Sequence, residues 1–270
     1  MSQSSKETFS GTEHELRSMT EELDQLHGDV GMPAMRQGVA NMIEQMKEGV
    51  KPTSRRTFLM GAGAAAAGGA ALMVIGSPAM AGASTRRLAS VSTADAAAFP
   101  PAGLTGDLAV AAVAASLENL AVFAYTAGLS AATAGKLGAV PPAVATFATT
   151  AKAQHTEHAA AWNGVLKANG KAAVTVTNPT LTPVVQADFA KVTNIAGLAM
   201  LAITLETIAA QTYQAETSML KSSAAIGLSS SIQPVEMQHI AILYYVLGMY
   251  PGAQTTAGTP LAFNPTSMAV

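Results

Sequence analysis

The sequence predicts an all-α protein built on a four-helix bundle, and three observations lead there. Hydrophobic residues make up 49% of the 270 residues and aromatic residues only 5%, so alanine and glycine dominate a composition ample for a buried core. Two stretches, SLENLAVFAYTAG (116–128) and TLETIAAQTYQAE (204–216), each set a glutamate into an otherwise apolar, Ala-rich helical run with a tyrosine seven residues later. The helical segments of the C-terminal part are interrupted at length by KAAVTVTNPTLTP (171–183), whose β-branched residues and prolines disfavour a helix.

In chain order, residues 1–54 form a charged extension holding nine of the seventeen acids. Leu16, Met19, Leu23 and Leu26 fall at the i, i+3, i+7, i+10 spacing of one helix face, and Met35, Val39, Met42, Ile43 and Met46 form a second stripe after Pro33. Two short amphipathic helices are expected, in a solvated and partly ordered extension; the alternative is a docking arm for a partner or for the inner membrane surface. Residues 55–81 follow as SRRTFLMGAGAAAAGGAALMVIGSPAMA from Ser54, with Arg55 and Arg56, then Phe58 and Leu59, an uncharged Gly/Ala-rich run, and the small-x-small triplet Ala79-Met80-Ala81. This segment resembles a bacterial twin-arginine export signal, with Met60 where that pattern often has lysine. The resemblance implies recognition by the twin-arginine export machinery, cleavage after Ala81 and a location across the cytoplasmic membrane, with membrane contact only through the signal if it stays uncleaved. It further implies folding before export, often around a cofactor.

Residues 82–103 read as a Ser/Thr/Ala-rich linker ending at Pro100-Pro101, and 104–250 as the bundle. Its helices are expected at roughly 105–134, 142–169, 184–222 and 233–249, with Gly170 ending the second and Pro234 in the first turn of the fourth. The long connection between the second and third allows these two to lie parallel, while short loops join antiparallel neighbours. Residues 251–270, PGAQTTAGTPLAFNPTSMAV, read as an extended tail.

Several chemistries are excluded. A net charge of −2 with no basic run in the bundle gives no footprint for nucleic acid. The absence of cysteine removes disulfides, thiolate zinc sites, Fe–S clusters and cysteine nucleophiles, so a metal must be held by nitrogen and oxygen. HTEH (155–158) is not the His-Glu-x-x-His of metalloproteases, and neither a G-x-S-x-G elbow nor a phosphate-binding loop occurs.

After residue 82 only eight acids and three histidines remain, and the histidines fall in two pairs: His155/His158, and Glu236/His239. A spacing of i, i+3 turns a helix by ~300°, which puts both members on one side about a turn apart, as a shared metal ion requires. The order is Glu118, His155/His158, Glu206, Glu236/His239, one group per helix, and the halves repeat as LE-x-x-A-x-x-x-Y followed by a three-spaced pair ending in histidine. This resembles the ferritin-like superfamily of four-helix bundles, in which single glutamates on two helices and Glu-x-x-His on the other two hold two iron or manganese ions.

The resemblance covers about 105–250 and implies a mono- or dinuclear iron or manganese site at Glu118, His155, His158, Glu206, Glu236 and His239. Oxidoreductase chemistry on oxygen or peroxide is then expected; a non-catalytic bundle with a vestigial site, serving a structural, binding or envelope-stress role, is the alternative. His155 stands where the family has glutamate, which removes one bridge and one negative charge and leaves Glu236 as the bridge. Glu157 points ~100° away from His158 and is no substitute. Tyr125 and Tyr213 lie near the glutamates' faces, where packing is the expected role and support of a site the alternative, and Trp162 is expected in the core.

Overall fold

A computed structural model of the chain describes residues 12–33, 35–37, 40 and 99–249. The twin-arginine segment with Arg55, Arg56 and Ala81, most of the 82–103 linker, most of the second methionine stripe and the 251–270 tail lie outside the described residues. Among the described residues the structure is helical: α1 (Glu13–Leu26) running into a π-helical turn (His27–Gly31), α2 (Asp107–Thr133), α3 (Pro142–Ala168), α4 (Thr182–Phe189), α5 (Ile195–Met219) and α6 (Ser223–Val246).

The bundle consists of two long hairpins, α2 with α3 and α5 with α6. Along α2, Gly128 meets Leu198, Tyr125 meets Glu206, Glu118 meets Tyr213, and Asp107 meets Lys221 and Ser222, so α2 and α5 run antiparallel. Contacts of Tyr125 with Phe147 and of Glu118 with His155 make α2 and α3 antiparallel as well. Helices α3 and α5 are therefore parallel, as the long connection predicted. A Cβ on Gly128 would stand 3.0 Å from the Leu198 side chain, so glycine is what lets α2 and α5 approach there.

Helix ends follow their local chemistry. Pro142 opens α3, and Gly170 at φ +67° closes it while Lys171 N–H bonds back to Leu166 C=O. The connection after it is pinned along the bundle by Asn119 and Asn163, whose amides donate to Val174 C=O, and by Asn178 against Ser116. Two expected boundaries are corrected. The third helix is divided into α4 and α5, because Asn194 caps α5 by accepting from Gly197 N–H after a turn closed by an Asp188–Lys191 ion pair.

The fourth helix begins ten residues earlier than expected. Ser222 accepts from Ala225 N–H, the Asp107 carboxylate accepts from Lys221 and Ser222 N–H, and Pro234 lies inside the helix. Pro234 and Ser230, whose carbonyl loses its partner in the helix, are both exposed, which leaves that end of the broken pair open to solvent.

The N-terminal extension is not a solvated arm over its described helix: α1 packs against α3 and α6. Its buried face is Leu16, Thr20, Leu23 and His27, within ~60° of one another on a helical wheel, whereas Leu26 is 51% exposed. A capping box at Thr12 and Glu15 starts α1, and Tyr245 of α6 donates to Glu15 at 2.5 Å. At the other end Asp24 lies by Gln154 and His27 by His158, so α1 runs parallel to α3.

Candidate metal centre

Each of the four long helices projects its expected residues into the interior: Glu118 from α2, His155 and His158 from α3, Glu206 from α5, and Glu236 and His239 from α6. All six are at most 2% exposed. The structure brings the whole set together as two overlapping groups, Glu118/His155/His158/Glu236 and His155/Glu206/Glu236/His239, whose ligand atoms lie within 4.8 Å of one another. Glu236 and His155 belong to both. Glu236 has the shared position expected of a bridging carboxylate, and His155 occupies the opposite shared position.

Burying three carboxylates together is unfavourable unless positive charge accompanies them. His155 Nδ1 lies 2.7 Å from Glu118 Oε2, and its Nε2 3.2 Å from Glu206 Oε1. Burial pushes the His155 pKa down, but Glu236, Glu206 and Glu118 override this and hold it well above the ordinary histidine value. A carboxylate oxygen at each ring nitrogen favours the charged ring, since only that form donates from both. His158 follows the same balance, with burial outweighed by Glu118 and Glu236 to give about 9, and His239 is likewise raised against burial by Glu206 and Glu236. Burial would raise Glu118, yet His158 and His155 bring it to about 2.

The donor atoms facing the middle are left without hydrogen-bond partners: Nδ1 of His158 and His239, Oε2 of Glu206, and both oxygens of Glu236. These five atoms meet one another only as ion pairs at 3.1–3.4 Å, and a metal ion among them would supply the directed bonds they lack, so the residues present fit one. His158 Nδ1 is 3.1 Å from Glu236 Oε1, and His239 Nδ1 is 3.4 Å from Glu206 Oε2, so both rings present the same nitrogen to the centre.

The tyrosines do more than pack. Tyr125 donates to Glu206 at 2.5 Å and Tyr213 donates to Glu118, so each repeat's tyrosine holds the other repeat's glutamate. Trp162 is in the core as expected, and its indole N–H donates to the Tyr213 hydroxyl at 3.0 Å. Glu157 is surface-facing, as its helical angle predicted. An apolar pocket walled by Ala124, Gly128, Phe147, Leu198 and Ala202 is also lined by Tyr125 and Glu206.

Three residues escaped the reading of the sequence. Gln154 accepts from the outward nitrogen of His239 at 2.8 Å, and the signal available was its place one turn before His158 on the buried face. Glu216, ten residues after Glu206, is buried, and burial and then Glu118 raise its carboxyl well above the usual range. His27, the last residue of α1's buried face, sits 3.3 Å from His158.

Helices α2 and α5 are long and apolar enough by length and composition to cross a membrane, and they are also the two that carry Glu118 and Glu206 inward. Of their apolar stretches, 50% and 44% is buried inside the bundle. Comparison with curated proteins and with solved structures finds no match. The Ferritin-like domain family matches residues 106–249, which take in every helix from α2 to α6 and all six converging residues, and the chain belongs to that family.

Proposed function

We propose that the bundle binds iron or manganese between α2, α3, α5 and α6 and performs oxidoreductase chemistry on oxygen or peroxide. The observation that carries this reading is the convergence of five buried oxygen and nitrogen atoms that make no directed hydrogen bond, in a chain without cysteine. Imidazole and carboxylate together suit iron or manganese, and when bound such a metal supplies redox capacity and Lewis acidity. The protein's own part is charge balance and positioning. Glu118, Glu206 and Glu236 offset the cation's charge, and His158 and His239 offer Nδ1 once their protons leave. Tyr125 fixes Oε1 of Glu206 and leaves Oε2 for the centre, while Tyr213 fixes Oε1 of Glu118, whose Oε2 meets His155. The apolar pocket that Tyr125 and Glu206 help to line suits entry of dioxygen, an apolar solute, while excluding bulk water. With a histidine at 155, one ion should bind tightly and a second weakly.

A non-catalytic bundle is the second reading, favoured by one observation: the His155 imidazolium already lies between Glu118 and Glu206, where it supplies positive charge without a metal. Elemental analysis of the purified chain, beside Glu236→Ala, decides between the two. Metal in the native chain and none in the variant supports the first reading; no metal in either leaves the non-catalytic bundle.

We further propose that Arg55 and Arg56 direct export by the twin-arginine route before cleavage after Ala81. The support is the ordered motif in the sequence. Replacing both by lysine keeps the charge but loses the guanidinium fork, and should retain the protein inside the cell. Undiminished secretion of that double variant would refute the export reading.

A further inference from the structure

We propose that His27, carried by the N-terminal segment, is a positioning residue of the metal centre that fixes His158 with its metal-facing nitrogen bare. The inference rests on the metal-binding reading above, and it gives the α1 segment a role in the site. His158 faces the centre with Nδ1, 3.1 Å from Glu236 and 3.5 Å from Glu118, and turns Nε2 toward His27 Nε2 at 3.3 Å. To ligate a metal through Nδ1, a neutral His158 must carry its proton on Nε2. That proton then needs an acceptor, and His27 Nε2 is the partner in reach. For Nε2 of His27 to accept, its own proton must sit on Nδ1, which lies 3.4 Å from the Glu157 carboxylate.

The three residues thus form a directional chain. His27 Nε2 accepts from His158 Nε2–H, leaving His158 Nδ1 for the metal, and the Glu157 carboxylate, 3.4 Å from His27 Nδ1, attracts the remaining His27 proton to that nitrogen. One tautomer of each ring satisfies every contact. His239 is held in the same manner, its Nε2–H donating to Gln154 Oε1, and the Gln154 amide lies 3.4 Å from Asp24 of α1. Both metal-facing Nδ1 atoms are therefore set by hydrogen bonds on the opposite nitrogen, and both outward paths reach the N-terminal segment, one at His27 and one at Asp24. Outer-shell partners of ligating histidines typically change metal affinity by about 10–100-fold when removed.

The segment is placed to do this by packing that does not involve the metal. Leu16, Leu23 and Met35 are buried, Thr12 N–H and Glu15 meet Tyr245, and the His27 ring itself is buried against His158 with centroids 5.4 Å apart. Removing the acceptor on His27 therefore leaves α1 docked.

The test compares His27→Met with His27→Gln in the full chain. The two side chains are similar in length, but only glutamine has a carbonyl to accept from His158 and an amide to donate to Glu157. Co²⁺ is titrated into metal-free protein while its visible absorption bands are recorded, with thermal unfolding of the metal-free chains as a control for the fold. We expect His27→Met to weaken the tighter Co²⁺ about 10–100-fold and to shift the cobalt bands, and His27→Gln to restore the affinity to within about threefold of native. If the methionine variant does not fold, His27→Phe, which keeps a ring without an acceptor, takes its place. Native-like affinity and spectrum in the folded acceptor-free variant would overturn the positioning role alone. Failure of the native chain to take up Co²⁺ would overturn the metal reading and this inference together.

Discussion

Replacing His155 by glutamate tests how the centre balances its charge. In the native chain the imidazolium lies 2.7 Å from Glu118 and 3.2 Å from Glu206, with all three side chains at most 2% exposed. A hydrogen bond to a charged group is worth about 1.5–3 kcal/mol, so losing both costs about 3–6 kcal/mol before the repulsion of a fourth buried carboxylate is counted. That is a large part of a typical domain stability of about 5–15 kcal/mol. With a melting shift of about 2–4 °C per kcal/mol for a protein of this size, metal-free His155→Glu should melt about 6–24 °C below the native chain. Excess manganese or iron should recover much of this, since a ligand at 100 times its Kd stabilises by about 2.7 kcal/mol. Bound metal should rise toward two per chain as the second bridge is restored.

The assay is scanning calorimetry in chelator and in excess Mn²⁺, with elemental analysis of the same samples. If metal-free His155→Glu melts with the native protein, the ring does not hold the carboxylates together and the charge argument fails. Two tight metals in the native chain, unchanged by glutamate, would show instead that His155 is itself a competent ligand.

Three further outcomes are expected. Tyr213→Phe removes the donor to Glu118 and the acceptor for Trp162, so it should cost about 1.5–3 kcal/mol in the metal-free chain and shift the emission of the sole tryptophan; unchanged fluorescence would refute the contact. Metal affinity should rise with pH, by about tenfold per unit for each proton displaced, until it levels near the metal-free His158 value of about 9; Mn²⁺ titrations at pH 6, 7 and 8 with equal affinities would contradict a protonated His158. Glu216 has its folded pKa raised, so its contribution to stability is present below the unfolded value of 4.5 and is lost as pH rises. Glu216→Gln should therefore melt with the native chain near pH 4 and above it at pH 8, by about 1–3 kcal/mol, and a variant less stable at pH 8 would sink this assignment.

The six ligand-type residues were legible because each helix shows them at a spacing that fixes their face, and the bundle then has one interior to receive them. The tyrosine bonds were not legible. Spacing placed Tyr125 and Tyr213 near the glutamates of their own helices, but each bonds the glutamate of the other repeat, and distances between helices are not written in either helix. Pro234 misled because proline is common in a first turn; its tolerance inside α6 depends on Ser230 facing water, a property of the packed helix. Asn194 followed by Gly197 carried a capping signal within an otherwise apolar run that masked it. His27 was not legible for a different reason: it precedes the signal-like segment, and nothing in the intervening sequence shows that the N-terminal helix packs back on the bundle.

The order of α1, signal-like segment and bundle along the chain makes the outer shell of this centre a question of dilution. While residues 38–98 remain continuous, α1 meets its groove as a tethered partner, at an effective concentration up to about millimolar, so even a feeble intrinsic affinity keeps it seated. A cut after Ala81 leaves every atom of the interface in place yet makes α1 part of a separate peptide ending at Ala81. Its occupancy then follows the free concentrations of the two pieces. With a dissociation constant of about 1 μM the pieces stay paired at about 100 μM and separate at about 1 nM, although the intact chain is closed at both. The same cleaved protein would thus keep His27 on His158 in a confined compartment and lose it after release into a large volume.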